Sequence, residues 1–214
     1  MRIKTQIQPA SFVPKRPDEF IGYAATVAKV FAAKAKAALT DRDAKLKYIL
    51  TGNPGIGKTR LAEFLAEQLT GEHVTDGQSF SVESINGRII DAAMIRGWRE
   101  QCRYVPVNFT VKIINEIDTL RQDNEDALLS YFDEIPRKTA VIGTSNRKTS
   151  ELTPRLQSRL QSFHIQPPTE SEIKTLVSRW NIGKTNINNV LLGCGGNVRA
   201  ALLDAQSILD AQLV

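Results

Sequence analysis

The chain has 214 residues, of which 42% are hydrophobic and 24% charged, a balance typical of a globular protein with one large domain or one domain and a small appendage. No run of eighteen apolar residues occurs and the amino terminus lacks an apolar secretion core, so we expect neither a membrane span nor a secretion signal. The two cysteines, Cys102 and Cys194, cannot build a disulfide framework or a zinc-finger spacing, and we predict a cytoplasmic protein.

The formal charge of +5 is unevenly distributed along the chain. Residues 1–50 carry ten lysines and arginines against four aspartates and glutamates. Such a basic portion suits a polyanion such as nucleic acid, and it equally suits a helix whose lysines face solvent while its apolar side packs inward. Charge alone leaves both interpretations open.

The order of predicted elements indicates an α/β fold. Residues 1–22 form a predicted amino-terminal arm, extended because it contains three prolines, and residues 24–39 a predicted alanine-rich helix. Strands are predicted at 48–51, 79–84, 111–115, 139–144 and 162–166, with helices near 58–69, 88–101 and 123–133. This alternation predicts a parallel sheet covered by helices on both faces, spanning residues 23–168. Helical patterns at 170–180, 186–193 and 197–211 then predict a small all-helical unit over residues 169–214.

The most informative motif is a phosphate loop at residues 52–59, which reads G-N-P-G-I-G-K-T. A short apolar strand precedes it and an amphipathic helix follows, the context in which backbone N–H groups and a helix amino terminus converge on phosphate. Lys58 is predicted to reach the β- and γ-phosphates, and the Thr59 hydroxyl to ligate Mg²⁺. The sequence therefore predicts a nucleoside triphosphate site formed by Asn53, Pro54, Gly55, Ile56, Gly57, Lys58, Thr59 and Arg60.

A second motif follows the apolar strand at 111–115, which ends in Asn115 and Glu116. The carboxyl end of this strand should lie in the crevice beside the phosphate loop. Glu116 is predicted to orient or deprotonate the attacking water. Asn115 stands where this motif normally has an aspartate associated with Mg²⁺, and its amide can accept a hydrogen bond from metal-bound water without supplying a negative charge. We therefore predict a role for Asn115 at the metal, with slow hydrolysis as one outcome.

A third strand, at 139–144, is followed by Asn146. An amide at this strand tip can sit between the γ-phosphate and the attacking water. Asparagine is also a common turn former, but the two preceding nucleotide motifs favour the functional interpretation. We predict that Asn146 positions the water.

Taken together, these segments resemble the AAA+ ATPases, and within them the clamp-loader and Holliday-junction motor branch. The resemblance covers nearly the whole chain and rests on six segments in the family's order: 16–22, 52–59, 115–118, Asn146, 152–160 and 196–202. It implies a P-loop NTPase fold with a five-stranded parallel sheet in the order 5-1-4-3-2 and a small carboxy-terminal helical lid. It also implies that ATP or ADP binds together with Mg²⁺.

The resemblance gives three arginines roles. Arg159 is the implied arginine finger, which stabilises transition-state charge in a neighbouring subunit's site, and Arg155 is the alternative. A finger that works in trans requires head-to-tail contacts, so we expect a homo- or hetero-oligomeric ring or spiral. Arg199, at the start of a lid helix, is implied to touch the nucleotide and to couple lid closure to the γ-phosphate.

DNA and a protein client are the partners that this resemblance implies. The candidate DNA contacts lie in the helical stretch after the second strand, where clamp-loader relatives follow the duplex backbone, and they are Arg88, Arg96, Arg99 and Arg103. The helix around residues 125–132 departs from those relatives, because acidic residues stand where basic ones would be expected. The chain also lacks the helical collar and the winged domain of these relatives, so we expect assembly through ATPase contacts alone, through partner chains, or within a longer protein.

The leading hypothesis is an ATP-hydrolysing protein that assembles into a nucleotide-dependent ring or spiral and acts on DNA or a DNA-bound partner. The alternative is a slowly hydrolysing, nucleotide-gated assembly switch that recruits protein partners, which the Asn115 substitution favours. A protein remodeller that threads its client is a third possibility, but the sequence shows no aromatic pore loop.

Overall fold

The computed structural model describes residues 8–74, 78–101 and 109–212, in which five strands form one sheet. The strands are β1 Lys45–Thr51, β2 Val82–Asn86, β3 Thr110–Asn115, β4 Thr139–Ser145 and β5 Gln161–His164. The helices are α1 Gly22–Thr40, α2 Lys58–Thr70, α3 Ala92–Gln101, α4 Gln122–Asp133, α5 Pro154–Arg159, α6 Glu170–Val177, α7 Lys184–Cys194 and α8 Val198–Ala211. Of these described helices, none has the length and apolar character needed to cross a membrane.

The sheet is parallel throughout, in the order β2-β3-β4-β1-β5. This is the predicted order 5-1-4-3-2 read from the opposite edge, so the prediction of the fold is confirmed. The register aligns the carboxyl ends of the strands, because Asn86 pairs with Asn115 and Thr51 pairs with Ser145. The loops that follow β1, β2, β3 and β4 therefore meet at one edge of the sheet, where ligands bind in open parallel sheets.

Helices cover both faces of the sheet, as the near-continuous apolar strands require. Alternate strand residues point to opposite sides: Leu50 and Ile113 pack with α1 and α2, whereas Ile49 and Ile114 pack with α3, α4 and α5. The α2 helix is held tightly, because Leu61, Ala62, Phe64, Leu65 and Ala66 are completely buried. The phosphate loop thus connects the central strand to a helix that cannot easily shift.

The carboxy-terminal helices α6, α7 and α8 enclose a separate apolar cluster that includes Trp180 and Ala201. The amino-terminal arm packs against this cluster through Phe12, whose ring meets Trp180 edge-on with centroids 5.6 Å apart. Within its described part the arm is not simply extended, because 3₁₀ turns occur at Pro9–Ser11 and Pro17–Glu19. Phe20 anchors its end on Phe64 of α2.

Two predicted elements begin later than expected. Residues 79–81 form a turn rather than the start of β2, because the Ser79 N–H donates to the Val82 carbonyl at 3.0 Å, and the strand runs on to Asn86. The helix predicted from residue 88 begins at Ala92, because a 3₁₀ turn at Gly87–Ile89 comes first. Asp91 caps the helix by accepting the Met94 N–H at 2.8 Å.

Candidate functional site

The phosphate loop joins β1 to α2 through backbone conformations that only glycine adopts readily. Gly52, Gly55 and Gly57 have φ values of 140°, 77° and 93°. Two of them also lack room for a side chain, because a Cβ on Gly52 would lie 2.3 Å from the Ile165 carbonyl oxygen and one on Gly55 would lie 2.0 Å from Asn197. These close approaches fix the loop against β5 and the lid.

Lys58 lies at the start of α2 and is only 7% exposed. Its ammonium donates to the carbonyls of Gly52 at 2.8 Å and Asn53 at 2.7 Å, and to Asn146 Oδ1 at 2.9 Å. All three acceptors are neutral. Burial lowers the pKa of Lys58 to about 8; the Asp118 and Glu116 carboxylates oppose this lowering, and the Arg199 charge reinforces it. The site therefore holds a desolvated cation in contact with no carboxylate.

Thr59 and Asn115 lie side by side in a network of neutral groups. The Thr59 hydroxyl donates to Asn115 Oδ1 at 2.9 Å, and the Thr144 hydroxyl donates to the same oxygen at 3.3 Å. Asn115 Nδ2 in turn donates to Ser84 Oγ at 2.8 Å. Ser84 thus orients the amide so that its oxygen faces Thr59. Hydroxyl and amide oxygens are ligand types that suit Mg²⁺, so these residues fit a magnesium site with no carboxylate at position 115.

Glu116 lies directly after β3 in the left-handed backbone region, with φ 53° and ψ 48°. Its carboxylate accepts a hydrogen bond from Asn86 Nδ2 at 3.1 Å, and its backbone N–H donates to Thr144 Oγ1 at 3.2 Å. Gly87 packs so closely that a Cβ there would lie 2.6 Å from the Glu116 carbonyl oxygen. This uncommon conformation is held by the loop after β2, as strained residues at functional sites often are.

The remaining strand tip brings Asn146 and Arg147 to the same edge. Asn146 contacts Lys58, as described, and Arg147 Nε lies 3.4 Å from Asp118 Oδ2. The Asp118 side chain is 10% exposed, and its other oxygen has no hydrogen-bond partner among the described residues. Asp118 is therefore a largely buried acid whose charge acts on Lys58 without direct contact.

The lid contacts the phosphate loop through the first turn of α8. Asn197 caps this helix by accepting the Ala200 N–H at 3.0 Å, and the Arg199 N–H donates to the Gly55 carbonyl at 3.0 Å. The Arg199 side chain is exposed and lines the same cavity as Lys58, close enough for its charge to lower the pKa of Lys58. Two cations thus converge on one cavity.

That cavity has a volume of about 420 Å³ and lies between the phosphate loop, the arm and the lid. Its polar end carries the functional groups described above, including Thr59, Asn86, Asn115, Glu116, Thr144 and Asn146, and its opposite end is mainly apolar. The apolar wall consists of arm residues such as Phe12 and Ile21 and lid residues such as Leu176 and Leu202. Such a site, polar at one end and apolar at the other, suits a phosphorylated ligand with an organic ring.

Arg60 lines the cavity, but its guanidinium serves the arm. It donates to the Pro14 carbonyl from Nη2 at 2.7 Å and from Nε at 3.1 Å, and it pairs with Glu67 at 2.8 Å and Glu63 at 3.3 Å. At 14% exposure this side chain is held in place. The Arg60 side chain is therefore engaged elsewhere, and only the backbone N–H of Arg60 is left for the predicted contact with nucleotide.

The two candidate finger arginines lie on α5, away from the cavity. Arg159 forms an ion pair with Asp133 at the end of α4, and Arg155 forms one with Asp126. Lys47, near the start of β1, donates from Nζ to the carbonyl of Phe132, the residue before Asp133, at 3.0 Å. The Arg159 pair therefore lies near the start of β1, and the phosphate loop follows the other end of that strand.

Of the candidate DNA contacts, Arg88 and Arg96 are exposed. Arg99 is different, because its Nη2 donates to Ser130 Oγ at 2.7 Å and lies 3.9 Å from Glu134. Its guanidinium joins α3 to α4 while its side chain stays 40% exposed, so its proposed DNA contact remains a prediction. Arg103 lies outside the described residues.

Sequence reasoning missed several residues of this site: Ser84, Asn86 and Asn197. Asn86 lies at the tip of β2, as Asn146 lies at the tip of β4. An amide at a strand tip is the signal that identified Asn146, and it would have identified Asn86 if β2 had been predicted to extend to residue 86. Asn197 could have been recognised as a helix cap, since asparagine is favoured there. Nothing in the sequence signals the contact between Ser84 and Asn115.

Comparison with known proteins gives the family. The model of the ATPase family associated with various cellular activities (AAA) matches residues 48–167, more than half of the chain. Among solved structures, the Thermotoga maritima RuvB Holliday junction branch migration motor has 22% sequence identity and a TM-score of 0.73, with 95% of this chain and 66% of that chain covered. The P216G mutant of the same protein gives 22% and 0.74, with 94% and 67% covered.

A more distant structure is a DNA polymerase III gamma subunit-related protein from Thermotoga maritima, with 17% identity and a TM-score of 0.57, covering 82% of this chain and 57% of that chain. No curated protein sequence matches the chain. The chain spans about two thirds of the length of the RuvB chains, and at this identity the likeness shows the fold. The family model and the phosphate-loop geometry agree, and the chain belongs to the AAA family of ATPases.

Proposed function

We propose that this chain binds ATP with Mg²⁺, hydrolyses it, and assembles head-to-tail into a ring or spiral that acts on DNA or a DNA-bound partner. The observation that carries this proposal is the convergence of Lys58 and Arg199 on one cavity. Their charges repel one another, and Lys58 contacts only neutral acceptors. A polyphosphate that binds both cations relieves the repulsion and restores the usual preference of Lys58 for its charged form.

The residues at the polar end have separable roles in hydrolysis. Lys58 exchanges its contacts with Gly52, Asn53 and Asn146 for phosphate oxygens. Glu116, held by Asn86, orients and deprotonates water, and Asn146 positions that water against the terminal phosphate. Thr59 and Asn115 would hold Mg²⁺, which would neutralise negative charge on the phosphates.

Steady-state phosphate release from Mg-ATP, with and without primed duplex DNA, tests this function. We expect turnover that DNA stimulates and that Arg159→Ala abolishes, since the arginine would act in a neighbouring copy. Titration with a fluorescent ATP analogue accompanies the assay, so that loss of turnover is separated from loss of binding. Absence of nucleotide binding by the folded chain would refute the proposal.

The DNA part of the proposal rests on Arg88 and Arg96, which are both exposed. Arg88 lies in the 3₁₀ turn before α3, and Arg96 lies in α3. The double variant Arg88→Ala/Arg96→Ala should reduce DNA stimulation and make the salt dependence of DNA binding less steep, because each lost phosphate contact lowers that slope by about one. Arg99→Ala is the matched control, because Arg99 already contacts Ser130. Equal effects of the two changes would contradict a DNA role for this surface.

A second candidate function is a nucleotide-gated assembly switch that hydrolyses ATP very slowly. The neutral set of Thr59, Asn115 and Ser84 favours it, because no carboxylate at position 115 attracts the metal. The Asn115→Asp variant distinguishes the two functions. A large rise in turnover at unchanged ATP affinity supports the switch, whereas an unchanged rate shows that the amide is a tolerated variant of an ordinary hydrolytic site.

A further inference from the structure

Arg159 has every nitrogen of its guanidinium engaged within its own chain. Nε donates to Asp133 Oδ1 and Nη2 donates to Asp133 Oδ2, each at 2.9 Å, while Nη1 donates to the Arg155 carbonyl at 3.3 Å. The pair is a parallel, two-bonded contact in which the carboxylate fills the fork of the guanidinium. Its hydrogen bonds hold the pKa of Asp133 below its usual range and raise that of Arg159.

Arg155 provides a comparison on the same two helices. It is 60% exposed, against 29% for Arg159, and its contact with Asp126 uses Nη1 alone. The two helices are further joined by the Thr153 hydroxyl, which donates to Glu125. The α5 helix is thus fixed on α4 independently of Arg159, and Arg159 can turn outward without α5 leaving its place.

We propose that Asp133 is a positioning residue for Arg159, which it holds in the free chain and releases to the phosphate of a neighbouring copy when two copies dock. This inference rests on the proposed function, in which Arg159 acts in trans. A phosphate offers the guanidinium the same two-oxygen edge that the Asp133 carboxylate offers. Docking therefore exchanges one anion for another, and the guanidinium never loses its partner.

The exposure of the pair makes this exchange feasible. Both side chains are partly in solvent, and ion pairs of that kind contribute little to stability because water and salt screen them. Asp133 therefore does not lock Arg159 permanently but competes with the incoming phosphate. The competition should set the chain concentration at which neighbours begin to activate one another.

A mixing experiment separates the chain that supplies the arginine from the chain that supplies the site. The donor chain carries Lys58→Ala, so its own site is inactive, and the acceptor chain carries Arg159→Ala, so it supplies no finger. Turnover by the mixture then reports Arg159 of the donor acting on ATP in the acceptor. Adding Asp133→Asn to the donor should lower the donor concentration for half-maximal turnover roughly two- to fivefold, the range of exposed ion pairs, at unchanged maximal turnover.

Two controls make the result specific. Asp133→Asn in the acceptor, which lacks Arg159, should change nothing, and Asp126→Asn in the donor, which frees Arg155 instead, should also change nothing. A shift caused by Asp126→Asn would assign the finger to Arg155 and overturn the inference. An equal shift from either chain would show a structural role, and no shift from the donor would refute the competition.

The failure of this inference is distinguishable from failure of the proposed function. If wild-type chain turns over ATP but the donor and acceptor mixture does not, Arg159 does not act in trans and both fall. If the mixture is active and Asp133→Asn in the donor has no effect, only the inference about Asp133 falls. If the chain assembles without turnover, sedimentation measures the ATP-dependent association of donor and acceptor. The donor concentration for half-maximal association then replaces the donor concentration for half-maximal turnover.

Discussion

Lys58 and Arg159 are both proposed to bind phosphate, yet the protein surrounds them in opposite ways. Lys58 is buried among neutral acceptors, and burial lowers its pKa to about 8. Arg159 lies at the surface with a carboxylate in its fork, which raises its pKa. The buried cation has no carboxylate in direct contact, whereas the exposed cation is paired with one.

The difference follows from where each side chain has to act. Lys58 sits in a preformed cavity, so a ligand that enters finds the charge already desolvated and correctly placed. Arg159 would act across an interface that forms only on assembly, and a side chain of that length needs a partner that fixes its direction until then. Five predictions test this contrast, in order of decreasing effect.

The largest expected effect is on turnover from Arg159→Ala. A trans-acting arginine contributes about 10³-fold or more to phosphoryl transfer, so turnover should fall by at least about 10³ while ATP affinity of the single chain is unchanged. Steady-state phosphate release and fluorescent-nucleotide titration measure the two quantities. Arg155→Ala is the matched control and should retain turnover within about threefold; the reverse pattern would transfer the role to Arg155.

Lys58→Ala should weaken nucleotide binding by roughly 10- to 150-fold, the range of a lost charge-assisted hydrogen bond. The change also leaves the Gly52 and Asn53 carbonyls without their donor, so circular dichroism and thermal unfolding must accompany the binding titration. A folded Lys58→Ala chain that binds ATP like the wild type would contradict the assignment of this cavity.

Nucleotide affinity should depend on pH because binding requires charged Lys58. Below about pH 8 the free chain already carries that proton and affinity stays level; above it, binding must take up a proton, and affinity should fall by up to about tenfold per pH unit. ADP titrations between pH 7 and 10 measure this. Lys58→Arg should give a flat profile, because a guanidinium stays charged throughout.

The same lowered pKa has an opposite consequence for folding. The unfolded chain, with lysine at its ordinary pKa of 10.5, binds more protons than the folded chain between about pH 8 and 10.5. The Lys58 contribution to the free energy of unfolding should therefore rise with pH across that window. A wild-type chain whose stability fell relative to Lys58→Arg over this range would contradict the burial of the lysine as the cause of its lowered pKa.

The smallest expected effect concerns Asn86, which holds the Glu116 carboxylate at 3.1 Å. Asn86→Ala should lower turnover by about tenfold, within the contribution of an oriented general base, and leave ATP affinity unchanged. Asn124→Ala is a suitable control, because Asn124 contacts the Ile90 carbonyl near the same loop without touching Glu116. A loss of affinity equal to the loss of turnover would show that Asn86 supports the cavity instead.

The sequence was sufficient to predict that the residues on the buried side of this contrast lie together. The phosphate loop is eight consecutive residues with a recognisable strand before and helix after, and Glu116 and Asn146 follow strands whose apolar pattern is continuous. Parallel pairing then brings strand tips together without any further information. The sheet order was likewise predictable, although through the family resemblance and not through periodicity.

The exposed side was not predictable in the same way. Asp133 and Arg159 are 26 residues apart and belong to different helices, and surface charges carry no periodic signal that pairs them. The contact between Arg99 and Ser130 was not predicted for the same reason. Residues 79–81 were wrongly predicted as strand because a polar turn and the start of an edge strand have similar composition. Because the strand was placed too early, Asn86 was not recognised as a residue at its tip.

The contact between the arm and the lid has a consequence for how the protein matures during synthesis. Phe12 packs on Trp180, and the Ala10 N–H lies 3.5 Å from Gln206 Oε1, so the contacts between arm and lid join residues separated by 168 and 196 positions. Ala10 and Phe12 also line the cavity. Contacts so distant in sequence form late, because a long loop must close first. A chain whose lid has not yet been translated therefore contains its phosphate loop but lacks the lid half of the cavity wall.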